Sequence, residues 1–536
     1  MSRLIPLWFF TLSNTYVRFA HRQWLFVTLI GFLAFAGCAA IGLIAGIPEP
    51  KTHDEFSYLL AADTFSHGRL TNPTHPMWKH FESFHIIHQP TYMSKYPPAQ
   101  GLVLAAGQLL GHPILGVWMS FGLMCAGVCW MLYAWISPRW AVFGSILALI
   151  NPVVGIAGYW AQAYWGGAIA ATGGALVLGG IRRLMRRPCV YDSLLTGIGL
   201  AVLANSRPFE GLLISIPAVI FLLIHVIKNR QQTFWISIRR IVLPILCVLT
   251  LTATAMGFYN LGVTGNPLRM PYQVHEETYG IAPLFIWQDP LPEPKFNHQI
   301  IRDFHTTYAF PLYENQRSMM GFILAKRKLL YLLVVGALNI YAIPLIGMFT
   351  FVVSWVRENI WARRAVAIYL VFVLGLITET FMLLHYIAPV VALNYFFVLN
   401  ALQLWRRHNR RVGELVCWLM PLLATVLLAK SLSGAIKQNR PSAWHMERSQ
   451  VVKQLKQKDG KHLVIVSYGP NHSVHDEWVY NNADIDGAKV VFARHMDQTQ
   501  DCKLAEYFRL RHLWSLDVDG VKPVPGLKPY PLKLCG

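Results

Sequence analysis

At positions 53–55 the chain reads His53, Asp54, Glu55, a few residues past a long apolar run, in the stretch THDEFSYLLAADTFSHGRL at 52–70. Ionisable side chains beside a bilayer are costly. A positioned carboxylate there has a use: it takes the proton from a hydroxyl that is attacking an electrophile, work worth about 10²–10⁴-fold. Cations recur downstream. Lys95 and Tyr96 precede the pair Pro97–Pro98, Arg207 precedes Pro208, and His385–Tyr386 stand in LLHYIAP at 383–389. Lys and Arg meet phosphate through charge-assisted hydrogen bonds. A plainer account exists for each. Asp54 and Glu55 can serve a helix N-terminus, Arg207 can pair with Glu210, and His385 can snorkel to the interface.

These residues need a scaffold, and composition names its class. Hydrophobic residues make up 54% of the 536 and charged ones 14%, against about 25% charged in soluble domains. Spanning helices need about 20 mostly apolar residues. Such segments lie at about 24–47, 113–136, 140–158, 162–181, 191–206, 209–227, 241–262, 329–354, 365–387, 389–405 and 413–434, which predicts eleven spans. The first lacks a small-residue cleavage site and reads as a retained anchor. Basic clusters set the orientation. Arg18 and Arg22, Arg139, Arg182–Arg187, Lys228–Arg240, Arg357–Arg364 and Arg406–Arg411 all fall on one side if the N-terminus is cytoplasmic. The net charge of +20 is then a topology signal facing anionic lipid, and nucleic acid is not implied. Lys326, Arg327 and Lys328 are the exception, placed outside.

Three segments remain on the outer face: a first loop at 48–112, a second at 263–328 and a tail at 435–536. The transmembrane part is thus 1–434. In the first loop Phe56, Leu59, Leu60 and Asp63 lie at helical spacing, with Gly68 as C-cap, which predicts a short surface helix. Pro97 and Pro98 open a second one, too short to span.

An acidic pair after the first span, an aromatic-rich juxtamembrane helix, then Tyr96-Pro97-Pro98 leading into an apolar helix: in this order the chain resembles the GT-C glycosyltransferases, in particular the bacterial protein-mannosyltransferase and lipid A aminoarabinose transferase-like branch. The resemblance covers roughly residues 24–210. It implies an inner-membrane enzyme that moves a sugar from a polyprenyl-phosphate donor to a lipid, glycan or protein hydroxyl on the periplasmic face, with inversion. It implies Asp54 as catalytic base and Glu55 as its acidic companion, orienting the acceptor. Lys95, Arg207 and His385 are then expected at the donor phosphate, although relatives carry the basic residue where Tyr96 stands. Tyr96, Gln162, Tyr164, Trp165 and Tyr386 are expected to line the substrate pocket. Relatives have an acid in the 159–168 connection, where this chain offers Gln162.

No cofactor is required by this reading. A divalent metal is possible, since His53, His67, His75, His80, His85, His88 and His112 crowd the first loop, but no pair shows H-x-x-x-H spacing. In the tail, 461–469, 488–496 and 512–518 read as strands and 501–511 as a helix, a small α/β unit. The segment HDEWVYNNADID at 475–486 could bind a cation or a sugar, but reads more readily as a solvated turn. Cys502 and Cys535 are expected to form a disulfide. A polytopic transporter or a non-catalytic envelope scaffold is the alternative, although no internal repeat is evident.

Overall fold

The structure, a computed structural model, describes residues 20–348, 352–438, 443–520 and 526–531. The chain is a multi-pass membrane protein. Among the described residues eight helical stretches are long and apolar enough to cross a membrane: Gln23–Ala45, Pro113–Trp135, Pro208–Lys228, Phe234–Thr264, Met319–Ile346, Ile360–Ile377, Leu384–His408 and Arg410–Gly434. Three of the eleven predicted spans fall short of that. The run at 140–158 yields only Pro138–Leu149, and residues 150–166 are irregular. The fourth begins at Gly167 and runs to Leu184, and the fifth is the short Val190–Ala204. Irregular backbone is tolerated here because it is enclosed by protein: Asn151 is fully buried, and its amide donates to Ala337 O and Tyr395 Oη.

Along the chain, α1 (Gln23–Ala45) leads to α2 (His53–Ser66), then to three short antiparallel strands, β1 (Asn72–Pro73), β2 (Ile86–Ile87) and β3 (Thr91–Ser94), in order β1-β3-β2. Next come α3 (Pro98–Leu109), α4 (Pro113–Trp135), α5 (Pro138–Leu149), α6 (Gly167–Leu184), α7 (Val190–Ala204) and α8 (Pro208–Lys228). Helix α2 starts where Thr52 and Glu55 form a capping box, the T-x-x-E signature of a helix start. It ends before Gly68, whose φ of +70° suits glycine. Pro98 opens α3 without loss, because the first turn has no intrahelical N–H partner.

The core at the centre of the bundle belongs to α4 and α6, both largely buried. Helix α6 is rich in small residues, which let backbones approach. A Cβ on Gly174 would lie 1.8 Å from Pro389 O. Glycine at 174 therefore seats the 3₁₀ segment Leu384–Val390 against α6, and that segment carries His385 and Tyr386. These two residues begin a helical stretch; they do not close the preceding span, which ends at Ile377.

The tail contains a four-stranded sheet of order β5-β4-β6-β7, with β4 (His462–Tyr468), β5 (Val490–Arg494) and β6 (His512–Val518) parallel and β7 (Lys528–Pro529) antiparallel. Its apolar core includes Phe56 and Leu60 of α2 and Phe81, Ile86 and Tyr92 of the first loop. The segment at 475–486 is not a solvated turn. Glu477, Trp478 and Val479 are fully buried, and the stretch fastens the tail to the first loop. Ser83 Oγ donates to Val479 O, and Tyr92 Oη donates to Asn481 O at 3.1 Å. Cys502 is disulfide-bonded; Cys535 lies outside the described residues.

Candidate active site

The N-terminus of α2 is held from two sides. Glu55 Oε2 accepts from Lys51 N at 3.0 Å, Thr52 N at 3.2 Å and Thr52 Oγ1 at 3.2 Å, and Oε1 accepts from Tyr164 N at 2.9 Å. Both oxygens are thus engaged by neighbouring groups, and Glu55 fixes the helix start against the 159–168 connection. That is a correction to the acceptor-orienting role expected of it. On the other side, His53 joins α2 to the tail. Its Nε2 donates to Val474 O at 3.0 Å, which leaves Nδ1 to accept from Tyr480 Oη at 2.7 Å. Burial holds this ring neutral, with a pKa of about 3.

Between these two anchors stands Asp54, its side chain 16% exposed. Its nearest ion partner is His85 Nε2, 3.8 Å from Oδ1, too long for a hydrogen bond. His85 adopts φ +60°, uncommon for a residue with a side chain. Its carbonyl is pinned by Ser57 Oγ at 2.6 Å and Lys95 N at 3.2 Å. The backbone is held in that conformation, and its ring is turned towards Asp54. Nδ1 of His85 is buried with no hydrogen-bond partner among the described residues. Burial pushes the Asp54 carboxyl up to about 6, while Lys95 and Arg207 pull it down and Glu55 raises it. The carboxylate therefore sits in the field of both cations.

Lys95 follows β3. Its Nζ is 3.4 Å from Glu276 Oε1 on the second-loop helix Pro271–Tyr279 and lies over the rings of Tyr96 and Tyr272. Tyr96 stacks on Tyr58 with centroids 4.6 Å apart. Arg207 caps α8, 3.6 Å from Glu210 Oε1, with its guanidinium 4.6 Å above the Tyr386 ring. The turn that carries it is tied to α3, where Ala99 N donates to Asn205 O at 3.0 Å. His385 lies between Trp165 and Tyr386, at 4.5 and 5.0 Å. His385 Nδ1 and Trp165 Nε1 are both buried without a hydrogen-bond partner among the described residues. Buried donors left open in this way call for an explanation.

Comparison with known families finds no matching family model, and no curated protein matches the chain. Solved structures do match. ArnT from Cupriavidus metallidurans in the apo state superposes with a TM-score of 0.50 at 15% identity, covering 90% of this chain and 92% of that one. The chain has the GT-C fold. ArnT bound to undecaprenyl phosphate matches with a TM-score of 0.47, 12% identity and the same coverage. An oligosaccharyltransferase from Archaeoglobus fulgidus, in complex with Zn and sulfate, matches with 0.46 at 11% identity over 81% of this chain. This chain spans 60% of that neighbour's length.

In this GT-C frame, Asp54, Lys95, Tyr96, Arg207, Trp165, His385 and Tyr386 lie at the end of the bundle that carries the first loop. Two expected pocket residues are used elsewhere. Gln162 Nε2 donates to Cys38 O at 3.0 Å and Ile156 O at 3.1 Å, and Tyr164 Oη donates to Pro48 O at 3.0 Å. Both stabilise the irregular connection; Gln162 supplies no second acid. Sequence reading named His85 only among the histidines considered for a metal, and missed Glu276 and Tyr272. For His85 no local signal exists; Glu276 stands in the second-loop stretch HEET, where an acid beside a histidine was the available hint. Among the described residues no three His, Cys, Asp or Glu side chains form a group that could hold a metal ion. The first-loop histidines have other partners: His80 Nδ1 lies 2.9 Å from Arg494 O, His88 Nε2 accepts from Ser83 N, and His112 caps α4. Lys326, expected on the outer side of the membrane, donates to Glu379 O at 2.6 Å.

Proposed function

We propose that the chain is a membrane glycosyltransferase that moves a sugar from a polyprenyl-phosphate donor to a hydroxyl acceptor. One observation carries the reading: a nearly buried carboxylate, Asp54, with its closest ionisable partner His85 at 3.8 Å, in the field of Lys95 and Arg207 at the loop end of a GT-C fold. ArnT, whose fold this chain shares, is solved with undecaprenyl phosphate bound.

The acceptor hydroxyl gives its proton to Asp54 as its oxygen attacks the anomeric carbon. The bond from that carbon to the phosphate oxygen breaks, and the electron pair leaves on the phosphate. Lys95 and Arg207 meet the growing negative charge. Trp165 offers its open N–H group beside them, and His385 Nδ1 offers a second in the tautomer that carries its proton there. One displacement inverts the anomeric centre. Acceptors in this reading are lipid, glycan or protein hydroxyls. The site faces the periplasm of an inner membrane, with the N-terminus cytoplasmic and the tail on the periplasmic side.

The test is sugar transfer or donor turnover in proteoliposomes supplied with undecaprenyl-phosphate-linked sugars and an envelope extract as acceptor. Wild-type protein is expected to release undecaprenyl phosphate and Asp54→Asn protein is not. Equal release by both proteins overturns the proposal.

A further inference from the structure

Glu276 stands where no resemblance assigns a role. It lies on the second-loop helix Pro271–Tyr279 and reaches across to the first loop, where its Oε1 is 3.4 Å from Lys95 Nζ and 3.3 Å from His275 Nδ1. The Lys95 side chain is 9% exposed, so the groups around it decide what it can bind. Lys95 Nζ lies over the rings of Tyr96 on the first loop and Tyr272 on the second, and beside them His85, His275 and His305 form a cluster of rings. Burial holds all three histidines neutral, with His275 at about 4 and His305 at about 3. Glu276 stays ionised: burial opposes this, but Lys95 and His275 hold its carboxyl down at about 2. The charges near the site include the cations Lys95 and Arg207, with Lys326 further along, against the carboxylates of Glu276, Glu210, Glu379, Glu55 and, when deprotonated, Asp54.

We propose that Glu276 is a positioning residue that competes with phosphate for Lys95 and thereby lets the singly charged donor bind while expelling the more highly charged product. The inference rests on the reading of Lys95 as a donor-phosphate ligand. A polyprenyl-phosphate sugar is a phosphodiester with one negative charge. Transfer leaves a phosphate monoester, whose second ionisation near pH 6 gives it between one and two charges at neutral pH. The two share the lipid and the phosphorus, so besides the sugar itself charge is the property by which a site at the phosphate separates them. A fixed carboxylate on Lys95 penalises each added charge in proportion.

The experiment measures affinity for undecaprenyl phosphate and for its methyl diester, using native mass spectrometry of full-length protein in nanodiscs. Glu276→Gln is expected to tighten the monoester by roughly fivefold to fiftyfold and the diester by clearly less. A merely structural role for Glu276 would weaken both ligands together, and that result overturns the inference. Lys95→Ala separates it from its premise. If Lys95→Ala weakens both ligands while Glu276→Gln changes neither, the role of Glu276 falls and the donor site stands. If Lys95→Ala changes neither, the donor reading at Lys95 falls and the inference falls with it.

Discussion

The junction of the tail with the first loop and the end of the bundle around Asp54 both bury charge, and they treat it in opposite ways. At the junction Glu477 is fully buried and saturated. It accepts from Tyr468 Oη and Val479 N and pairs with Arg494 Nη2 at 2.9 Å. Arg494 passes a second bond from the same nitrogen to Glu82 O, also at 2.9 Å, while its Nε and Nη1 are buried without a hydrogen-bond partner among the described residues, so the saturation here belongs to the acid. Around Asp54 the contacts are long and incomplete: 3.8 Å to His85, 3.4 Å from Lys95 to Glu276, 3.6 Å from Arg207 to Glu210. Buried polar groups are ordinarily satisfied, so the first pattern is what holding a structure together requires. The second keeps bonding capacity in reserve. Adjacent residues show the same split, for Glu55 has both oxygens engaged and Asp54 does not.

Substitutions that exchange the two patterns are the sharpest tests. Asp54→Asn removes an unsaturated acid, so it should cut transfer by about 10²–10⁴-fold and leave the thermal midpoint unchanged or higher. A midpoint that collapses with activity would make Asp54 structural. Glu477→Gln should do the reverse. Leaving Arg494 buried beside a neutral partner costs about 3–5 kcal/mol, read as tail release in limited proteolysis and lower stability in denaturant. Arg207→Ala should weaken undecaprenyl phosphate binding by about tenfold to a hundredfold, measured in nanodiscs. A stability loss without that weakening would place Arg207 with the structural charges, as the partner of Glu210.

The pH dependence has two signs. If the Asp54 carboxylate is the base, the transfer rate should fall below about pH 6, the value to which burial raises it, by about tenfold per unit. Stability runs the other way. Folded Asp54 keeps a proton that the unfolded chain releases near its ordinary value of 3.8. Its contribution is therefore present near pH 4 and lost as pH rises through about 6. Asp54→Asn should erase that slope in a denaturation series. The smallest effect expected is at Lys453, whose pairing with Glu49 is 66% exposed on the lysine side. Lys453→Ala should shift stability by less than about 0.5 kcal/mol.

What the sequence disclosed follows from how far each feature reaches. Helix α2 was legible because its start and stop are local: a T-x-x-E box and a glycine. The tail strand at 512–518 was legible to the residue because its alternation lies within seven positions. The pairing of acid with cation was legible in kind, since Asp54, Arg207 and Tyr386 each sit next to a helix break that sequence marks with proline or polar residues. The role of Glu55 was misread although the box that consumes it was visible, because its fourth bond comes from Tyr164, 109 positions away. Glu276 was missed for the same reason, being 181 positions from Lys95. The burial of 475–486 had no local cue at all. Its acids looked solvated, and the partners of Glu477 are Tyr468 on β4, Arg494 on β5 and Val479, which only the folded tail brings together. Spans 140–158 and 162–181 were drawn too long because hydropathy does not distinguish a helix from irregular backbone sealed inside protein.

The most direct measurement of the central claim is a cryo-EM structure of the full chain in nanodiscs with undecaprenyl phosphate. The phosphate is expected within about 3 Å of Lys95 Nζ or the Arg207 guanidinium, on the side facing the Asp54 carboxylate. Density for the phosphate away from both cations, with Asp54 turned to bulk solvent or lipid, would contradict it.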